Sequence, residues 1–128
     1  MFQVGIKNRF RARHFLRGEF GEESHPHEHE YALEWVCSTA ALDENGFSVD
    51  IALMEELLAE AVASIEGQLL NDLEFFQERQ PSVENMARFF HRRLFDALEG
   101  RGYAVSTVLR AEIRIWESET AWASYLFP

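Results

Sequence analysis

An alternation of apolar and polar residues opens the chain and predicts a β-strand over residues 2–16. Successive side chains of a strand point to opposite faces, so Phe10, Ala12 and His14 would lie on one face. The other face would carry three arginines: Arg9, Arg11 and Arg13. This arginine face is typical of a solvated strand surface or a subunit contact. A phosphate-binding strip is the alternative, since arginine presents a planar fork of donors.

A second strand is predicted over residues 27–40, after a polar loop at residues 17–25 that contains two glycines. Near the end of the chain, residues 103–109 and 111–116 are predicted as two more strands. The aromatic tail at residues 120–127 is expected to dock against the domain. These patterns together predict four strands, two before and two after the middle of the chain.

Apolar residues at helical spacing predict α-helices over residues 50–66 and 82–99. Asp50 and Ser82 stand at the start of these segments and are expected to cap them, since their side chains can accept hydrogen bonds from the first free N–H groups. The connection at residues 68–81 contains several apolar residues and is expected to pack against the domain.

The predicted order is β-β-α-α-β-β, which indicates an α+β fold in a single domain of residues 1–128. Two helices can cover only one face of a four-stranded antiparallel sheet, and the strand edges would remain open. Open strand edges commonly pair with a strand of another chain. We therefore expect a homo-oligomer in which sheets join between subunits, with the helices on one side.

Composition narrows the classes of partner. The chain has 128 residues and a formal net charge of -10, which argues against a nucleic-acid partner. No apolar run approaches the roughly 20 residues needed to span a bilayer, so no membrane partner is expected. The single cysteine, Cys37, cannot form an internal disulfide, which fits a reducing cytoplasmic compartment.

Candidate metal chemistry is concentrated at residues 24–31, which hold three of the five histidines at alternate positions, His25, His27 and His29. On a strand these side chains would share one face. Imidazole is a frequent ligand of catalytic zinc, and a site with three histidines leaves one position open. The best candidate for a ligand from another strand is His14. A surface cluster with adventitious metal affinity is the alternative.

Four separated motifs in this order resemble the 6-pyruvoyl-tetrahydropterin synthase and 6-carboxy-tetrahydropterin synthase family. They are Phe10-x-Ala12-x-His14, His27-x-His29-x-Tyr31, Pro81-Ser82-x-Glu84-Asn85, and Trp116-Glu117-Ser118 with Trp122 and Tyr125. The resemblance covers nearly the whole chain. It implies a tunnelling fold, in which the sheets of three subunits close a barrel and two trimers stack into a hexamer, with active sites at subunit interfaces.

The resemblance also implies a zinc ion held by His14, His27 and His29, and a pterin anchored by Glu117. The usual substrate is dihydroneopterin triphosphate, whose side-chain hydroxyls the zinc binds and acidifies. The family serves queuosine, folate or biopterin synthesis. Without the resemblance, Glu117 would be interpreted as an exposed acid at a strand end.

The chain departs from the family at positions that handle protons. The family's catalytic cysteine lies four residues before the first histidine of the His-x-His pair, where this chain has Glu23. The family's Asp-His pair after the first helix corresponds here to Glu66 and Gly67. One branch of the family carries glutamate at the cysteine position and resembles aldolases. A solvated loop charge is the alternative for Glu23, and a structural role at the helix end is the alternative for Glu66.

Three hypotheses follow. The first is a zinc-dependent pterin lyase in which Glu23 is the general base and His25 or Glu66 assists. A loop histidine beside Pro26 is the alternative interpretation of His25. The second is a family member that binds zinc and pterin but lacks the standard synthase activity. The third is a structural oligomer whose zinc fixes the loop.

Overall fold

The computed structural model describes all 128 residues. It contains one four-stranded antiparallel sheet in which the strands lie in sequence order. The strands are β1 (Phe2–His14), β2 (His27–Thr39), β3 (Val108–Trp116) and β4 (Trp122–Phe127). The helices are α1 (Ile51–Ala63) and α2 (Val83–Gly100). The expected α+β order, with two helices on one face of the sheet, is confirmed.

Burial alternates along β1 as the sequence pattern predicts. Phe10, Ala12 and His14 are buried on the helix side of the sheet, and the arginines between them are exposed. The rings of Phe10 and Tyr31, which are paired across β1 and β2, stack with centroids 5.1 Å apart. The helix-covered face is therefore the apolar core, and it runs without interruption to His14 at the end of β1.

The C-terminal strands differ from the prediction. Of the strand predicted over residues 103–109, only Val108 and Leu109 lie in the sheet, because β2 ends at Thr39, which pairs with Val108 and leaves the residues before Val108 no neighbour. A single strand, β3, therefore takes the place of the two strands that were predicted over residues 103–109 and 111–116. The aromatic tail is itself a strand, β4, whose Trp122 and Phe127 pair with Trp116 and Ala111.

Both predicted helix caps are present. The Asp50 carboxylate accepts hydrogen bonds from the N–H groups of Ala52 and Leu53, and the Ser82 hydroxyl accepts one from Asn85. In the connection between the helices, Leu70 and Phe76 are buried, as expected from its apolar residues. Neither helix combines the length and the apolar character that a membrane-crossing helix needs.

Of the two edge strands, β1 and β4, only β1 has part of its outer edge covered, near its end. There the Arg13 N–H donates to the Gln68 carbonyl at 2.9 Å, and the Gly67 N–H donates to the Arg11 carbonyl at 2.8 Å. The rest of the β1 edge and the whole outer edge of β4 have no backbone partner. The sheet thus has one open edge on each side.

Candidate metal centre

Three histidine side chains and one glutamate converge where the β1–β2 pair ends. His14 is the last residue of β1 and faces His27, the first residue of β2, while His29 is paired with Ala12. The strand period of two places all three imidazoles on the helix side of the sheet. Their ligand atoms and a carboxylate oxygen of Glu23 lie within 4.8 Å of one another.

Backbone carbonyls orient two of the imidazoles. Nδ1 of His14 lies 2.7 Å from the Pro81 carbonyl oxygen, and Nδ1 of His27 lies 2.7 Å from the His25 carbonyl oxygen. A carbonyl oxygen only accepts, so each Nδ1 carries the proton and donates it. In each neutral ring Nε2 is then left with a free lone pair, which is the arrangement that metal-binding histidines use.

The Nε2 atoms of His27 and His29 are shielded from solvent and form no hydrogen bond. A buried polar atom without a partner costs about 1–3 kcal/mol, and such atoms are rare in folded proteins. Three imidazole nitrogens and a carboxylate oxygen are the donors that bind zinc and related divalent cations. The residues present therefore fit a metal ion, which would satisfy the unpaired nitrogens.

The surroundings favour the neutral form of His14. Burial lowers the pKa of His14, and although the hydrogen bond to the Pro81 carbonyl opposes this effect, neighbouring His27 and His29 lower the pKa further. A neutral imidazole is the form that can bind a metal. The Tyr31 hydroxyl lies 3.4 Å from Nε2 of His14 and can donate to it.

Glu23 reaches the histidines from the loop that joins β1 to β2. It lies in a single 3-10 turn, Gly21–Ser24, and its carbonyl accepts a 2.7 Å hydrogen bond from the Leu16 N–H. Its Oε2 lies 3.0 Å from Nε2 of His27, and about half of its side chain is exposed. The carboxylate is therefore held beside the imidazoles while it remains open to solvent.

Glu117 approaches the cluster from the end of β3. Its Oε1 lies 3.6 Å from Nε2 of His29, and its N–H donates to the Ala121 carbonyl in the turn before β4. Beside it is a pocket of about 180 Å³, lined by Val83, Glu84, Glu117, Ala121, Trp122 and Ala123. Burial, with smaller contributions from Glu117 and Glu23, raises the pKa of Tyr31, so the phenol stays protonated near neutral pH.

The other two predicted site residues lie outside the cluster. The His25 side chain is exposed, and only its carbonyl contributes, through its hydrogen bond to His27. Glu66 is exposed at the edge of β1, where its Oε2 accepts a 3.0 Å hydrogen bond from the Arg11 N–H. Sequence reasoning missed the carbonyls of His25 and Pro81, because nothing in the side chains of those residues signals a role for the main chain.

The arginine face of β1 is matched by acids on β2. Across the strands, Arg11 lies opposite Glu30 and Arg13 lies opposite Glu28, and Arg9 forms a 3.6 Å ion pair with Glu30. Because nearby carboxylates offset the positive charge, this face supports the interpretation as a solvated or contact surface over that of a phosphate strip.

The single cysteine is expected to be unreactive in the folded protein. Cys37 is buried in β2, and burial raises the pKa of its thiol to about 12, so at pH 8 only on the order of one thiol in 10,000 is ionised. We expect iodoacetamide to alkylate the native protein at least about 1,000-fold more slowly than the protein unfolded in guanidinium, as followed by mass spectrometry. Equal rates would show that Cys37 is accessible and ionised.

The chain matches a known protein family and several solved structures. A model of the 6-pyruvoyl tetrahydropterin synthase family matches residues 3–127. The chain is similar in structure to the 6-pyruvoyl tetrahydropterin synthase of Caenorhabditis elegans, with a TM-score of 0.80 and 19% sequence identity over 97% of this chain and 94% of that chain. No curated protein matches the chain.

Two Plasmodium proteins give similar results. The 6-pyruvoyl tetrahydropterin synthase of Plasmodium falciparum has a TM-score of 0.75 and 15% identity over 98% of this chain and 97% of that chain. A Plasmodium vivax 6-pyruvoyltetrahydropterin synthase, described as a catalytic residue mutant in which glutamate is replaced by alanine, has a TM-score of 0.75 and 14% identity over the same shares. At these identities the similarity shows a shared fold.

Proposed function

Because this chain belongs to the 6-pyruvoyl tetrahydropterin synthase family, we propose that it is a zinc-dependent lyase that acts on a pterin side chain. The expected substrate is dihydroneopterin triphosphate or a related pterin. One observation carries the proposal, namely that the ligand nitrogens of three histidines lie within 4.8 Å of one another and that Nε2 of His27 and Nε2 of His29 are buried without a partner. Two carboxylates, Glu23 and Glu117, lie beside these two nitrogens.

His14, His27 and His29 would hold the zinc ion. When bound, zinc would supply Lewis-acid chemistry that acidifies a hydroxyl of the substrate. The carbonyls of Pro81 and His25 fix the tautomers of His14 and His27, so both rings are oriented before the metal arrives. The site therefore needs little rearrangement to bind metal.

Glu23 is the proposed general base. Its carboxylate is held beside the histidines and is still open to solvent, so it can accept a proton from a substrate side chain and pass it on. In the similar Plasmodium vivax protein a glutamate is described as a catalytic residue, which supports a carboxylate in this role within the family. Cys37 is excluded from the role by its burial on β2.

Glu117 is the proposed anchor of the pterin ring. A pterin offers adjacent N–H groups on one edge, and a carboxylate can accept from two donors at once. The 180 Å³ pocket beside Glu117 is small for a whole pterin with its side chain, and its rim is formed by the start of β4. A neighbouring subunit along the open β4 edge would complete it.

His25 and Glu66 receive narrower roles than the sequence suggested. His25 is proposed to act through its carbonyl, which holds His27, and not through its side chain. Glu66 lies on the β1 edge outside the metal cluster, so it could assist only at the site of a neighbouring subunit.

The second candidate is a protein that binds zinc and pterin without the standard synthase activity. The presence of Gly67 at the position of the family's histidine favours it.

Product analysis separates the two functions. Zinc-loaded protein is incubated anaerobically with dihydroneopterin triphosphate, and the products are identified by mass. A zinc-dependent 6-hydroxymethyl, 6-carboxy or 6-pyruvoyl product establishes the lyase and names its branch. Pterin binding without any product establishes the binding protein.

We further propose a cytoplasmic homo-oligomer, a hexamer of two trimers, in which the open edge of β4 pairs with the open edge of β1 of the next copy. Along α2 and its preceding loop, Arg79, Arg88 and Arg92 surround a pocket of about 400 Å³, and none of them forms an ion pair. On the β1 side, Glu55 and Glu66 are exposed.

Reversing the charge of the α2 edge is expected to weaken assembly. We expect the variant R88E/R92E to sediment as smaller species than the wild type, because it reverses two charges beside the β4 edge that is proposed to pair with the next copy. R93E is the matched control, since Arg93 is exposed on α2 but does not line the pocket. Unchanged sedimentation of R88E/R92E would contradict this arrangement.

A further inference from the structure

Glu23 and His27 are in close polar contact without a hydrogen bond between them. Oε2 of Glu23 lies 3.0 Å from Nε2 of His27, yet Nε2 is buried and forms no hydrogen bond. His27 also commits its Nδ1 proton to the His25 carbonyl. A carboxylate oxygen and an imidazole nitrogen at this separation, with no hydrogen bond between them, are placed as two neighbouring ligands of one cation would be.

The other two imidazoles complete the arrangement, since a ligand nitrogen of each lies within 4.8 Å of these two atoms. A cation located between the four groups would be attracted by all of them. Ligands of a tetrahedral zinc ion with bonds of about 2.0–2.1 Å are roughly 3.3 Å apart, close to the separation of Glu23 and His27.

We propose that Glu23 is itself the fourth metal ligand in the substrate-free protein, so that the resting site is closed by three histidines and one carboxylate. This inference rests on the proposed zinc site and adds a step to its use. A substrate hydroxyl must displace the Glu23 carboxylate before it can reach the metal. The displaced carboxylate then has a free lone pair beside the substrate and can accept one proton from it. Glu23 is thereby available as a base only when substrate is present.

The loop geometry allows such an exchange. Glu23 is on a single 3-10 turn and its side chain is about half exposed, so it can swing away without disturbing the core. The three histidines, in contrast, are fixed on two paired strands. The mobile ligand and the fixed ligands are therefore different residues, as a displaceable fourth ligand requires.

The experiment measures zinc affinity and pterin affinity in the full-length protein. We expect E23Q and E23A to bind zinc at least about 10-fold more weakly than the wild type in competition with a chelator, since loss of even an outer partner of a metal ligand costs this much. With zinc saturating, E23A should bind dihydroneopterin more tightly than the wild type, by up to the same factor, because no carboxylate has to be displaced. A crystal structure of the zinc-loaded wild type should show a zinc–Oε distance of about 2.0–2.2 Å.

E22Q is the matched control, because Glu22 is in the same turn, is exposed and does not belong to the cluster. It removes the same charge and should change neither affinity. Unchanged zinc affinity in E23Q and E23A, or a crystal structure with Glu23 away from the zinc ion, would overturn the proposal while the lyase function could still hold. A wild-type protein that binds zinc through Glu23 but makes no product would instead reject the lyase function and leave this proposal intact.

Discussion

Replacing His29 by alanine is expected to abolish metal-dependent turnover. The variant H29A loses one of three imidazole ligands, so its zinc content after gel filtration should fall well below one ion per chain. Metal catalysis of this kind contributes several kcal/mol, and about 4 kcal/mol corresponds to a loss of roughly 1,000-fold in kcat/KM. Zinc content by atomic emission and product formation by mass spectrometry measure the two effects on the same sample.

H25A is the matched control for this variant. His25 belongs to the same short segment and is also a histidine, but its ring is exposed and only its carbonyl touches the site. Alanine keeps that carbonyl, so H25A should retain zinc and most of its turnover. If H29A kept full zinc and full activity, the metal assignment would be wrong. If H25A lost activity with zinc in place, the side chain of His25 would assist the reaction, as the sequence suggested.

The convergence of the three histidines could be predicted because it follows from strand geometry. His14 ends one strand and His27 begins the next, and the period of two places both on one face whatever the rest of the fold is. The caps at Asp50 and Ser82 were likewise predictable, since they depend on the local sequence alone. Local rules of this kind need no knowledge of the rest of the chain.

The remaining features depend on tertiary contacts that no local pattern encodes. The tail became β4 because β3 offered an unpaired edge, and residues 103–107 stayed out of the sheet because β2 had already ended. Glu66 fell outside the cluster because the turn that follows α1 runs along β1 and binds the Arg11 N–H. In each case the position of the segment was determined by the strand or group available to pair with it, and not by its own sequence.

Replacing Glu23 by glutamine separates proton transfer from metal binding. At saturating zinc, E23Q should still bind the metal through its histidines, but the amide cannot accept the proton. General base catalysis contributes about 100- to 10,000-fold, so we expect kcat to fall by roughly 1,000-fold. Single-turnover product formation at fixed, saturating zinc measures this effect without a contribution from metal loss.

Two glutamine variants define what the result for E23Q means. E22Q tests the loss of a neighbouring charge and should be as active as the wild type. E66Q tests the residue on the β1 edge, which in one chain lies outside the cluster. A loss of activity in E66Q would therefore mean that Glu66 acts at the site of a neighbouring subunit. In that case, mixing inactive E66Q with inactive H29A should restore part of the turnover, because some sites in the mixed oligomers would contain both intact residues. Full activity in E23Q would instead show that Glu23 is not the general base.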